Sequence, residues 1–284
     1  VGLVVWPPLE MAYLAQDLGF YKDANIQLVD YETSAGMVQA YQNSSLDVIS
    51  TVIDYALQLQ TVNSNQRIFL CIDYSLGGDA IVSKKNIVSL ADLKGKRIGY
   101  EASALGAYMI TRALKIADLE QTEIITVPVD VHNHERAFQQ NQVDALVTYE
   151  PTISILLNGG AKILFHSSQI PGEIFDIFIT TQDTLTNKRK QLKIFVDGWF
   201  KALAYQRAHP LDAARRVASR QRLSPDDYLA TFDKVEMLDQ RANVDCLSQK
   251  LAEALKTHQK VMLREGFLQH PADITTIIDD TLIR

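Results

Sequence analysis

Along roughly the first two thirds of the chain, short apolar runs alternate with segments whose apolar residues recur at helical spacing. Residues 1–5 form an apolar run that Trp6-Pro7-Pro8 stops. Residues 9–18 then carry helical spacing, ended by Gly19; proline is tolerated at a helix start because its missing N–H would be unpaired there. Further strands are predicted over 26–31, 48–52 and 68–72, with helices over 37–42 and 55–60. A strand over 80–83 leads out of this first series, and 88–93 reads as a short helix. A second series follows, with strands over 97–100, 124–129, 144–148 and 162–165. Its helices begin at Leu105 and span 135–142 and 151–157, and an extended segment covers 174–180. Such alternation predicts an α/β protein with a mainly parallel sheet and helices on both faces. After Thr184 only amphipathic helices are predicted, with breaks near Pro210, Ser224-Pro225 and Gly266.

One junction organises this pattern. Lys94-Gly95-Lys96 is a polar turn, 97–100 a short strand, and Glu101-Ala102-Ser103-Ala104 a small-residue loop before a helix. Ser103 holds the N-cap position and Gly106 leaves the first turn uncrowded. The junction exposes free backbone N–H groups at the positive end of a helix, which suits a small polar ligand. An ordinary capped turn would show the same residues.

Composition narrows the class. The chain has 284 residues, 47% hydrophobic and 22% charged, enough for one large or two medium domains with ample core. A net charge of -6 and a pI near 5.5 argue against a nucleic-acid surface. No apolar run approaches the roughly 20 residues needed to span a bilayer. The chain opens directly on an apolar strand, as expected if a leader had been trimmed. Cys71 lies in an apolar run and reads as packing, as does Cys246; their spacing gives no support for a disulfide and leaves one open.

Four segments carry a family resemblance. Ala15-Gln16-Asp17-Leu18-Gly19-Phe20-Tyr21 is a helix end of A-x-x-x-G-F-F/Y type. Gln39 to Val48 resembles an alanine-rich helix followed by G-x-x-D, with Ser45 near the usual glycine. Ser89-Leu90-Ala91-Asp92-Leu93-Lys94-Gly95-Lys96-Arg97-Ile98-Gly99 matches a D-L-K-G-K-x-I/V-G signature. Asn141-Gln142-Val143-Asp144-Ala145 resembles G-x-V-D-A, with the glycine replaced. In this order, they resemble the substrate-binding proteins of ABC importers of the nitrate/sulfonate/taurine type, including pyrimidine-precursor binders. The resemblance implies a type II periplasmic binding protein fold: two α/β lobes joined by two crossing strands, near 80–83 and 175–179, with a ligand in the cleft. Lobe one would be residues 1–82 plus 174–284, and lobe two 83–173.

In such a fold the strand carboxyl ends face the cleft. They bring aromatic residues (Trp6, Tyr149, Phe175), acids (Asp54, Asp79, Glu101, Glu150, Asp176) and the small or apolar Ser34, Ser103, Ala104 and Leu105. Lysine and arginine are missing from these segments. An anion would need cations or several free N–H donors. Carboxylates beside aromatic planes suit an N–H-rich solute, amine or pyrimidine-like. Several acids have plainer readings: Asp54 and Glu150 stand at helix starts, and Asp79 follows Gly77-Gly78 in a turn. Asp176 interrupts an apolar strand, where a buried acid without a partner is costly.

His132 and His134 lack a third ligand and read as a solvated loop, so no metal is expected. No nucleophile elbow or phosphate loop surrounds the serines or glycine pairs, and no cofactor is expected. The expected function is extracytoplasmic capture of a small solute for a membrane ABC permease, by a monomer, periplasmic or lipid-anchored, without catalysis or nucleic acid. The alternatives are the sensing domain of a membrane receptor and, with no cysteine cluster to support it, a pyrimidine synthase-like enzyme.

Overall fold

The computed structural model describes residues 1–284 and contains two β-sheets. The chain first lays down β1 (Gly2–Leu3), β2 (Val29–Asp30), β3 (Val48–Val52) and β4 (Gln66–Ser75). It then builds the second sheet from β5 (Asp79–Ser83), β6 (Arg97–Tyr100), β7 (Ile125–Pro128), β8 (Ala145–Tyr149) and β9 (Lys162–His166). β10 (Phe175–Thr181) and β11 (Val235–Met237) complete the first sheet. The spatial orders are β11-β4-β10-β3-β1-β2 and β7-β6-β8-β5-β9.

Both sheets are mixed, which corrects the mainly parallel expectation. β1 pairs parallel with β2 and β3, and β6 with β7 and β8. β10 runs antiparallel between β3 and β4, and β5 antiparallel between β8 and β9. Each of these two strands enters from the other sheet, at the end where the parallel strands leave. Apolar content marks a central strand but carries no direction. For the same reason the passages between sheets fall at 76–78 and 167–174, before each segment expected to cross. Residues 80–83 and 175–179 are central strands of the second and first sheet.

The two passages are tied side by side. The hydroxyls of Ser75 and Ser167 are 2.7 Å apart, and the Gly77 N–H donates to Ser167 Oγ at 2.6 Å. A Cβ on Gly78 would stand 2.7 Å from the Trp6 ring, so glycine there lets the passage pass close beneath the indole.

Four helices position the space between the sheets: α1 (Glu10–Asp17), α2 (Ser34–Gln42), α3 (Ile53–Val62) and α4 (Ala104–Ala117). Thr33 Oγ1 caps α2 by accepting from the Gly36 N–H at 3.1 Å, and Ser103 Oγ caps α4 by accepting from the Gly106 N–H at 3.3 Å. After Thr184 the chain is helical as expected, apart from β11, a three-residue strand too short to show alternation.

Burial follows strand parity. Along β5, Ile81 joins one apolar cluster of the second sheet while Ala80 and Val82 join the cluster on its other face. The first sheet has a larger core, where Phe178 of β10 meets the rings of Phe195 and Trp199 edge-on. Cys71 and Cys246 form a disulfide inside it, closing the question left open by their spacing. His134 is buried, which corrects the solvated reading. It bonds Thr148 Oγ1 at 3.0 Å and the Val129 carbonyl at 3.2 Å, and burial lowers its pKa to about 4.

Candidate functional site

A hollow opens between the carboxyl ends of the two sets of strands, with an empty volume of about 630 Å³ including its solvent-open part. Trp6, three residues after β1, and Tyr149, which ends β8, both line it. Their rings meet edge-on, 6.3 Å apart at 88°. Trp6 is held from behind: its indole N–H donates to Asp73 Oδ2 at 3.2 Å.

Asp79, at the start of β5, stands opposite Tyr149 in the register and lines the same wall. Burial pushes its carboxyl up to about 6. Asp176, second residue of β10, also lines the hollow and lies opposite Asp73 of β4. Burial raises both carboxyls; Asp73 raises Asp176 further, whereas the side-chain hydrogen bond with Asp176 lowers Asp73. Glu101, between β6 and α4, is raised by burial as well, with nearby Asp130 adding to it. Burial drives the Tyr55 phenol up to about 12 and that of Tyr149 still higher, with Glu101 adding to both. No lysine, arginine or histidine lines the hollow.

Of the residues singled out from sequence, Trp6, Ser34, Asp79, Glu101, Ser103, Leu105, Tyr149 and Asp176 line the hollow, and four do not. Asp54 turns away from it to the C-terminal helix Leu251–Arg264, where its Oδ1 lies 2.5 Å from His258 Nδ1. His258 Nε2 bonds the Glu173 carbonyl, and its ring stacks on Tyr108 of α4 at 3.8 Å. Glu150 is buried against Lys234 Nζ and Ser154. Phe175 faces away because neighbouring strand residues alternate sides: with Asp176 at the hollow, Phe175 packs beside Tyr74, 5.7 Å away. Ala104 is buried in the core of the first sheet.

The remaining lining residues are Val4, Val5, Leu9, Ser50, Thr51, Val52, Tyr55 and Ile174. The buried hydroxyls of Ser50 and Thr51 have no hydrogen-bond partner. A buried polar group left unpaired costs roughly 1–3 kcal/mol, so these two are suited to a ligand that supplies the missing partners. Their position at the carboxyl end of an apolar strand was the only sequence signal for them. The site therefore offers two ring faces, a set of carboxyls and unpaired hydroxyls, with no positive side chain.

Known proteins place this chain. A protein of Escherichia coli (strain K12) named for aliphatic sulfonates binding is 26% identical over 147 residues, 51% of this chain and 46% of that protein; the match thus spans about half of that relative's length. A protein of Haemophilus influenzae (strain ATCC 51907 / DSM 11121 / KW20 / Rd) named for thiamine biosynthesis is 25% identical over 216 residues, 72% of this chain and 67% of that one. The crystal structure of the periplasmic aliphatic sulphonate binding protein SsuA from Escherichia coli superposes with a TM-score of 0.80 at 18% identity, covering 98% of this chain and 91% of that one. Two sheets with a hollow between them are thus the periplasmic binding protein fold. The NMT1/THI5 like family model matches residues 6–213, and the chain belongs to that family.

Proposed function

We propose that this protein captures a small nitrogen-rich solute, amine or pyrimidine-like, between its two sheets and delivers it to an ABC importer outside the cytoplasm. The two sheet units act as lobes that close on the solute, and no bond is broken. Capture and delivery follow the binding-protein relative and the fold. An oxidising, extracytoplasmic compartment suits the buried Cys71–Cys246 disulfide.

The observation that carries the solute class is the charge of the wall. Asp79, Glu101 and Asp176 line the hollow without any cation. A sulfonate there would meet like charge in a low-dielectric space, which is unfavourable by several kcal/mol. A flat N–H donor gains hydrogen bonds to the carboxyls and ring contact with Trp6 and Tyr149. The relative named for thiamine biosynthesis fits this reading, since thiamine contains an aminopyrimidine ring.

Calorimetric titration with aminopyrimidines, benzamidine, alkanesulfonates, benzenesulfonate and nitrate tests it. The nitrogen donors are expected to bind at least ~10-fold more tightly than the anions, a difference of about 1.4 kcal/mol. Binding confined to sulfonates or nitrate would overturn the solute class.

A further inference from the structure

Asp73 and Asp176 are cross-strand neighbours with no positive charge to separate them. Asp73 is fully buried. One of its oxygens accepts from Trp6, while Oδ1 accepts from nothing. Asp176 shows its carboxyl to the hollow. Asp79 from β5 acts on both carboxyls and Tyr149 from β8 faces Asp176, while Glu101 from the β6–α4 junction and Tyr55 from α3 line the same hollow. None is cationic. Lys234 is held by Glu150, and Arg112 by Glu173. Two ionised carboxyls cannot both persist side by side in such surroundings; they titrate as a unit and keep a proton between them. A proton on Asp176 would supply a donor to the Asp73 carboxyl, whose Oδ1 has no other partner.

We propose that the empty cleft stores one proton between Asp73 and Asp176, and that a cationic solute displaces it, so that capture is an exchange of solute for proton. The inference rests on the proposed solute class. In the exchange the ammonium or amidinium N–H takes the place of the proton at Asp176, and the proton leaves to solvent. Net charge at the pair is the same before and after, which lets a cation enter without burying an uncompensated charge. Asp73 is a positioning residue in this exchange: it acts through Asp176 and through the indole of Trp6. Burial raises both carboxyls, and the charge of Asp73 and its hydrogen bond raise Asp176 further while that bond lowers Asp73, in agreement with a proton held on Asp176.

The test uses the full chain with benzamidine as a cationic probe, and benzamide and benzenesulfonate as its neutral and anionic counterparts. Calorimetry is run near neutral pH in buffers of different ionisation enthalpy. Benzamidine is expected to release about one proton on binding, with affinity rising about tenfold per pH unit until the pair is ionised. Asp73→Asn supplies its own amide N–H to Asp176, so it is expected to bind benzamidine with no proton release and a flat pH profile. In the ligand-free protein, Trp6 emission is expected to step near neutral pH; Trp6→Phe separates it from Trp199, and Asp73→Asn removes the step. Benzamidine binding without proton release overturns the exchange while leaving the solute class standing. Tighter binding of benzenesulfonate overturns the solute class and the exchange with it. Failure of benzamidine to bind, or a Trp6 emission flat across this range, overturns the exchange.

Discussion

Lys234, the last residue of a short 3-10 helix before β11, reaches Glu150 just after β8, joining the edge of the first sheet to the second. The Glu150 side chain is 1% exposed and that of Lys234 33%. The Lys234 carbonyl also accepts the N–H groups of Leu76 and Gly78, in the first passage between the sheets. A single residue therefore ties the passage to both sheets.

Lys234→Ala would leave Glu150 buried with only Ser154 as a partner. The expected loss is roughly 2–4 kcal/mol in urea unfolding, because a buried carboxylate without its cation is the costly state. Adding Glu150→Gln to that variant is expected to recover part of the loss. Equal stability of Lys234→Ala and the parent would show that the pair contributes nothing.

The carboxyls of the hollow set an unusual pH dependence. Asp176 is raised by burial and Asp79 is raised to about 6, both above the unfolded value of about 3.9. The folded state therefore binds more protons, and these groups stabilise it below the unfolded values and lose that effect as pH rises through the folded ones. His134 acts in the opposite sense, since its folded value of about 4 lies below the unfolded value of about 6.5. Asp176→Asn isolates one side of this balance. It is expected to raise the unfolding free energy by roughly 1–3 kcal/mol at about pH 8 and to change it little at about pH 4. Melting curves of the empty protein at both pH values measure the difference; a gain of the same size at each would show that Asp176 ionises normally.

The Cys71–Cys246 disulfide closes a separation of 175 residues within the first-sheet core. Constraining so long a loop in the unfolded chain is worth about 2–5 kcal/mol. Cys246→Ser is expected to lower the melting temperature, and reductant to do the same to the parent but not to the variant. Unchanged melting of the parent under reductant would contradict this.

The β6–Ser103–α4 junction was legible residue by residue, because a strand, a cap and a first turn are decided by neighbours in the chain. Apolar spacing likewise predicted the α/β class and most strands to within a few positions. The aromatic and acidic positions at strand ends were legible because strand carboxyl ends converge in such folds.

Tertiary structure alone decided where the remaining side chains went. Asp54 meets His258 across 204 positions, Glu150 meets Lys234 across 84, and Cys71 meets Cys246 across 175. No local pattern encodes such partners, and each ties its residue to a distant segment instead of to the hollow. Strand direction, and with it the opposition of Asp73 and Asp176, was equally hidden, because apolar alternation reads the same in both directions. The chain's own order determined which elements form and which chemistry gathers at their ends. Packing between distant segments determined which of those side chains are left facing empty space, since a side chain's surroundings depend on what folds against it.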